Sequence, residues 1–223
     1  MNLVKVGGRL LRRAGSVLGR IPDPVPVQYK RVSYVRLLNR CAVNTDVVFG
    51  LNDTIKTTMY YTPLPDSYRE GFAALFGART SNGNIDQYTL FGKYQNDVKL
   101  AIEGKSYSVV IMNGRPDYVV TITANKSHVE VRKFSDDSLV VDKTIATPWT
   151  GCVIPMYIAM TSDNHNQCAN INLYSFQMFD QRNNLKLDLI PVMRKSDSAY
   201  GLWDAVGKRF VQSCNSIPIQ GPA

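Results

Sequence analysis

Residues 171–211 confine this chain to a β architecture before any other stretch is read. Leu173, Ser175, Gln177 and Phe179 alternate with Tyr174, Phe176 and Met178, the period of two that sends successive side chains to opposite faces of a strand. Apolar groups fall on both faces, which fits a strand inside a two-layer sandwich better than one on a surface. DQRNN at 180–184 reads as a turn, because Asn183 and Asn184 take φ > 0 at low steric cost. Leu185, Leu187 and Leu189 resume the alternation. Pro191 is expected to halt it, since proline has no amide proton for a ladder. YGLWD and KRFVQS then pair across Val206-Gly207. The stretch predicts a β-hairpin module.

The rest of the chain from Pro26 onward repeats the signal. Strands are expected at 54–62, 71–76, 87–91, 98–103, 107–112, 118–124, 129–134, 139–141 and 153–160, all rich in Val, Ile, Thr and Tyr. Turn pairs separate them: Asn82-Gly83, Asn113-Gly114, Asn125-Lys126 and Asp136-Asp137. About a dozen short strands joined by tight turns imply a sandwich rather than a βαβ sheet. No internal repeat or second domain is visible, and 44% hydrophobic residues suffice for a core.

Several motifs, taken in order, resemble a known family. LYSFQMFD, LKLDLIPV, MRKSDSAYGLWD and GKRFV are similar to the C-terminal signature of the concanavalin A-like (laminin G-like) jelly-roll domains of bacteriophage and prophage virion proteins and of gut-bacterial surface proteins. Upstream, YKRVSYV at 29–35, VNTDV at 43–47 and LFGAR at 75–79 fit the same pattern. Asn184 replaces the family's turn glycine, and Trp203 replaces its tyrosine. The resemblance runs over about residues 27–221. It implies an all-β concanavalin A-like jelly-roll sandwich, and a virion component as its setting.

The charge lies elsewhere. Nine lysines and arginines in residues 1–40 face one acid, Asp23, so the whole net charge of +8 sits there and the remainder is neutral. Leu10, Leu11, Ala14, Val17, Leu18 and Ile21 recur at helical spacing, with Arg9, Arg12, Arg13 and Arg20 on the opposite face. Gly8, Gly15 and Gly19 weaken such a helix by about 1 kcal/mol each, so it needs a partner surface. Pro22, Pro24 and Pro26 then predict an extended spacer. Residues 1–26 thus form a basic helical or extended arm with a linker, and residues 27–223 the sandwich.

A secretory leader, a membrane-surface helix, nucleic-acid binding by the arginines, and packing on the chain's own domain are the competing readings of this arm. Docking into a larger protein assembly is preferred. Its contacts would come from Arg9, Leu10, Leu11, Arg12, Arg13, Val17, Leu18 and Ile21. No apolar run approaches the roughly 20 residues of a membrane-spanning helix.

Catalytic signals are poor. Glycoside hydrolysis needs two carboxylates flanking the bond, and none of Glu70, Glu103 and Glu130 has an acid two residues away. No G-x-S-x-G elbow accompanies His128 and His165. His165 and Cys168 have ligand-like spacing, but zinc wants four ligands and no fourth is evident. The loops carry too few acids for calcium. Cys41, Cys152, Cys168 and Cys214 are read as free, mostly buried thiols. Trp149, in TPWTG, is the candidate exposed ring for a sugar, whereas Trp203 belongs to the core.

The expectation is therefore a non-enzymatic virion accessory protein without cofactor or metal. Its partners would be capsid, collar or tail proteins, in a homo-oligomer or symmetric array, with no nucleic acid and no transmembrane segment. It would be assembled in the host cytoplasm. The alternative is a carbohydrate-binding module that adsorbs to host surface glycans.

Overall fold

The computed structural model describes residues 23–61, 73–80, 87–90, 100–102, 119–145, 149, 151–161 and 168–223, and the backbone of residues 4–6, 9–11, 62, 72, 86, 91–93, 97–99 and 105–111. In the arm, β1 (Val4–Val6) pairs antiparallel with β2 (Arg9–Leu11), Val4 opposite Leu11. A helix was expected to begin at Leu10, but Arg9, Leu10 and Leu11 are extended. The local chemistry accounts for it: Gly7-Gly8 is a hairpin dipeptide that penalises helix, and Val4 and Val6 are β-branched. Arg12, Arg13, Val17, Leu18 and Ile21 lie outside the described residues.

The body continues with β3 (Tyr29–Arg31), β4 (Val35–Leu37), β5 (Val43–Val48), β6 (Thr54–Thr62), β7 (Phe72–Arg79), β8 (Asp86–Lys93), β9 (Asp97–Ile102) and β10 (Lys105–Ile111). Then come β11 (Val120–Asn125), β12 (His128–Lys133), β13 (Leu139–Thr144), β14 (Pro155–Ile158), β15 (Asn170–Phe179), β16 (Leu185–Arg194), β17 (Tyr200–Asp204) and β18 (Arg209–Val211). The small sheet has the order β10-β9-β8-β7-β14-β5, and the large one β13-β12-β11-β6-β15-β16-β17-β18, with β3 on β16 and β4 on β15. Neighbouring strands in both are antiparallel. The chain passes from small to large sheet at β5–β6, returns at β7, and crosses again at β11, β14 and β15. That alternation makes a jelly-roll sandwich, and the described residues contain no helix.

The core lies between the sheets. Ile55, Met59, Ile122, Leu173, Phe176 and Met178 from the large sheet meet Leu75, Phe76, Leu90, Leu100, Met156 and Ile158 from the small one in a single cluster. Phe76 and Phe176 meet edge-on at 5.9 Å. In β7, a Cβ on Gly77 would come within 2.5 Å of Thr89 Oγ1, so this position admits no larger residue without displacing β8.

Pro191 does not end its strand; β16 runs through to Arg194. The Pro191 carbonyl accepts from Val32 N at 3.1 Å, just past the end of β3. A residue's nitrogen and carbonyl face the same side of a strand. The missing proton therefore points to the β3 side, and the β17 ladder loses nothing.

The proline-rich segment is not a free spacer either. Trp203 Nε1 donates to the Pro24 carbonyl at 2.8 Å, Asp23 pairs with Arg31 at 2.6 Å, and Val25 is 9% exposed. Tyr29 stacks on Phe210 and tilts against Trp203, both with centroids 5.2 Å apart. Residues 23–26, expected in the linker, thus belong to the body: an aromatic pair on the C-terminal hairpin offers them a surface.

All four cysteines are free, with Cys41, Cys152 and Cys168 buried and Cys214 exposed. Burial pushes the Cys41 and Cys168 thiols up to about 11 and Cys152 to about 12. They are inert packing groups rather than nucleophiles.

Candidate functional site

The large sheet has one face on the core and one face outward. Cross-strand register sets what the outward face carries. Arg132, Thr121, Thr58 and Ser175 lie in one row, from β12 to β15. Glu130, Thr123, Lys56, Gln177 and Asp188 form the next, from β12 to β16. On the other side of the first row, Tyr60 stands opposite Asn172, and Asn172 opposite Arg36.

A bulge decides where the aromatic groups go. Register shifts between Leu173 and Ser175, with Leu173 opposite Met59 and Ser175 opposite Thr58, leaving Tyr174 as the extra residue. Tyr174 is half-buried, with Tyr34 at 5.1 Å on one side and Phe134 at 6.4 Å on the other. Phe134 is 60% exposed, and its amide is fixed by the Val119 carbonyl at 2.9 Å. Tyr34 is held in turn by the Ala223 amide, 3.3 Å from its hydroxyl. Three rings thus form a continuous ridge on the outward face. Burial, then the neighbouring Tyr34, raises the Tyr174 hydroxyl above its ordinary value, so it stays protonated and able to donate.

The polar groups around this ridge fall into two classes. Arg132 grips Glu130 with two bonds of 2.8 and 3.1 Å, His128 meets Asp142 at 2.7 Å, and Gln177 donates to Asp188 at 2.9 Å. These are spent on one another. The side chains of Tyr60, Asn172, Ser175, Thr123 and Lys56 have no hydrogen-bond partner among the described residues. Thr58 and Thr121 share one bond at 3.2 Å and keep further capacity.

The sheet also brings Glu130 opposite Asp142, a carboxylate pair that sequence spacing could not reveal. The hydrogen bonds from Arg132 hold Glu130 below its usual range, which suits an ionised structural partner and not a proton donor.

Trp149 is corrected. It is 3% exposed, wedged between Phe49 at 5.4 Å and Tyr88 at 5.2 Å. Trp149 lies outside the strands, but a ring of this size is drawn into the core beside two others, so no face remains for a sugar. The ridge residues were missed because Tyr174 looked like one more apolar group in an alternating strand. Its partners Tyr34 and Phe134 come from distant segments. Only the tyrosine-rich opening YKRVSYV hinted at them.

A second depression, of about 340 Å³, lies among Leu51, Asn52, Asp53, Asp180, Gln181 and Arg182. Its acids are occupied. Asp53 accepts from Lys186 Nζ at 2.5 Å and from Gly50 N at 2.7 Å, and Asp180 binds Arg182 N, Asn184 N and Asn184 Nδ2. No group of three His, Cys, Asp or Glu that could hold a metal occurs among the described residues, and His165 lies outside them. No described helix is long and apolar enough to cross a membrane.

No family profile matches the chain, and no curated protein matches it in sequence. Many solved structures bear a likeness, among them the following three. A heptameric SAP-like pentraxin from Limulus polyphemus is 12% identical over 68% of this chain and 71% of its own, with TM-score 0.38. The exoplasmic/lumenal domain of VIP36, in a Ca2+/Man-bound form, is 12% identical over 69% and 83%, at 0.37. The alginate lyase AlgAT5, of Polysaccharide Lyase family 7, is 14% identical over 61% of each chain, at 0.34. This chain therefore spans 61% of the length of that lyase. A likeness of this degree carries neither ligand nor activity to this chain.

Proposed function

We propose that this chain is a non-enzymatic glycan-binding module that uses the outward face of its large sheet. The observation that carries this is the ridge Tyr34–Tyr174–Phe134 with the uncommitted hydroxyl, amide and ammonium groups of Tyr60, Asn172, Ser175 and Lys56 beside it. A sugar ring packs its C–H face on an aromatic ring and needs hydrogen-bonding groups not already engaged. Catalysis is left out of this reading because Glu130 is tied to Arg132 at 2.8 Å and held below its usual range, whereas a general acid must hold its proton near neutral pH. Arrayed bacterial-envelope and plant glycans, probed with the full chain and with Tyr174→Ala, provide the test. Binding should be lost in the variant while it still unfolds cooperatively, with a melting temperature lowered by the loss of a half-buried ring; retained binding would remove the platform from the reading.

The setting we propose is a phage particle, with the sandwich displayed and the arm docked in capsid, collar or tail proteins, in a symmetric array. Two features support it: the ordered virion-type motifs, and an arm in which Lys5, Arg9, Arg12, Arg13 and Arg20 face a single acid, Asp23. A lone two-stranded hairpin such as β1–β2 is marginal in water and gains from a partner surface. Leu11→Asp with Leu18→Asp should abolish incorporation into particles, since unpaired charge is costly to bury. Should Arg9→Gln, Arg12→Gln and Arg13→Gln do the greater damage, and high salt mimic it, the arm acts by charge instead. Equal occupancy for all variants would refute docking through the arm.

A further inference from the structure

The outward face also bears on the shape of its ligand. We infer, resting on the glycan-binding reading, that the ridge takes an uncharged linear oligosaccharide laid across the strands, and not a single terminal sugar. Three observations converge on this.

The first is the arrangement of the rings. Successive centroids are 5.1 and 6.4 Å apart, from Tyr34 through Tyr174 to Phe134. Each step is comparable to one pyranose unit along an extended chain, so the row offers stacking to consecutive units. The second is openness. The platform ends at Phe134, which is mostly in solvent, and the described depression lies elsewhere, at the 51–53 and 180–182 segments. A lone sugar on an open platform reaches one ring and few donors, whereas a chain adds contacts along the row. The third is charge. Arg132 is matched by Glu130, Asp142 is engaged by the His128 ring, and Gln177 holds Asp188. An anionic chain would run beside those three carboxylates, with Lys56 the one described cation in its row free of a partner. The uncommitted groups of Tyr60, Asn172 and Ser175 lie in the registers on either side of Tyr174 and suit neutral hydroxyls.

Isothermal titration of the full chain with cello-, xylo-, manno- and chito-oligosaccharides of one to six units reads the inference directly, with oligogalacturonate as the acidic comparator. In the ladder that binds, affinity should rise about five- to tenfold per added unit up to the third, as each ring is engaged, and then level off. It should change little with salt. Phe134→Ala removes an exposed end ring and should level off one unit earlier; Tyr34→Ala should do the same from the other end. A monosaccharide that binds as tightly as its trimer, or a preference for the acidic series, overturns the inference and leaves the glycan reading standing. Absence of binding in every ladder and on intact bacterial-envelope polysaccharide overturns both.

Discussion

The C-terminal hairpin and the outward face of the large sheet are both rich in aromatic and charged side chains, but they use them in opposite ways. Around the hairpin the described polar side chains largely have an internal partner. Trp203 gives its indole proton to Pro24, Arg194 clamps Asp197 at 2.6 Å while lying 4.8 Å over Phe210, and Lys195 reaches the Val27 carbonyl. Asp204 is 2% exposed and accepts from Val206 N and Arg209 Nε, while Arg209 also reaches Asp46 and the Thr45 carbonyl. On the outward face, a band of hydroxyl and amide groups has no such partner. Closed networks of this kind hold a structure together. Groups left open beside exposed rings add little to stability and remain available to something else.

The sharpest way to break this contrast is Trp203→Ala. It removes a 5%-exposed ring and orphans the Pro24 carbonyl, and should cost about 3–5 kcal/mol in urea unfolding. A loss under about 1 kcal/mol would mean that the hairpin network is not structural.

Truncation comes next. Removing residues 1–22 should leave the urea midpoint nearly unchanged, whereas removing 1–26 should cost about 2 kcal/mol, from Val25 burial and the Pro24 bond. Equal midpoints for the two truncations would restore residues 23–26 to the role of a spacer.

On the outward face, Asn172→Ala and Ser175→Ala should stay within about 0.5 kcal/mol of the parent, as surface changes do, while lowering glycan affinity. A larger loss of stability would show that these side chains are structural after all.

The smallest effect concerns pH. Hydrogen bonds from Arg194 hold Asp197 down to about 2, against an ordinary 3.8. A carboxylate lowered on folding contributes stability above its unfolded value and loses it as pH falls through the folded one. Asp197→Asn should therefore flatten the small slope of melting temperature between pH 4 and pH 2, leaving that above pH 5 unaltered. An unchanged slope would separate this pair from acid stability.

Much of this architecture could be read along the chain. β6 spans the expected 54–62, and the 180–184 turn forms with Asn183 at φ 63° and Asp180 as its acceptor. RKSD, met first as part of a family-like motif, is an ion-paired turn in which Asp197 also accepts from the Ala199 amide at 3.1 Å. These are local effects, set by alternation and turn chemistry. What escaped was set by distant partners. Pro191 stays in a strand because of where β3 ends, Trp149 is buried by Phe49 and Tyr88, and residues 23–26 find a surface on the hairpin. The ridge needed the bulge at Tyr174 and two rings from outside the strands, Tyr34 just before β4 and Phe134 just after β12, so no single stretch announced it.

The strand order carries a consequence for how the chain reaches this state. β6 is flanked by β11 and β15, and β4 finds its place only between β15 and the segment at Gln220, with Arg36 bonded to the Gly221 carbonyl across 185 residues. Thr57 waits likewise for the Ser175 carbonyl, 118 residues on. Pairings this remote close large loops before contact repays them, which slows folding. On the ribosome the first strands emerge long before their neighbours exist, and their edges stay open until the segments at 170–179 and 220–221 have followed. The sandwich should close only once residues 220–221 are available, because they complete the layer that the first strands began.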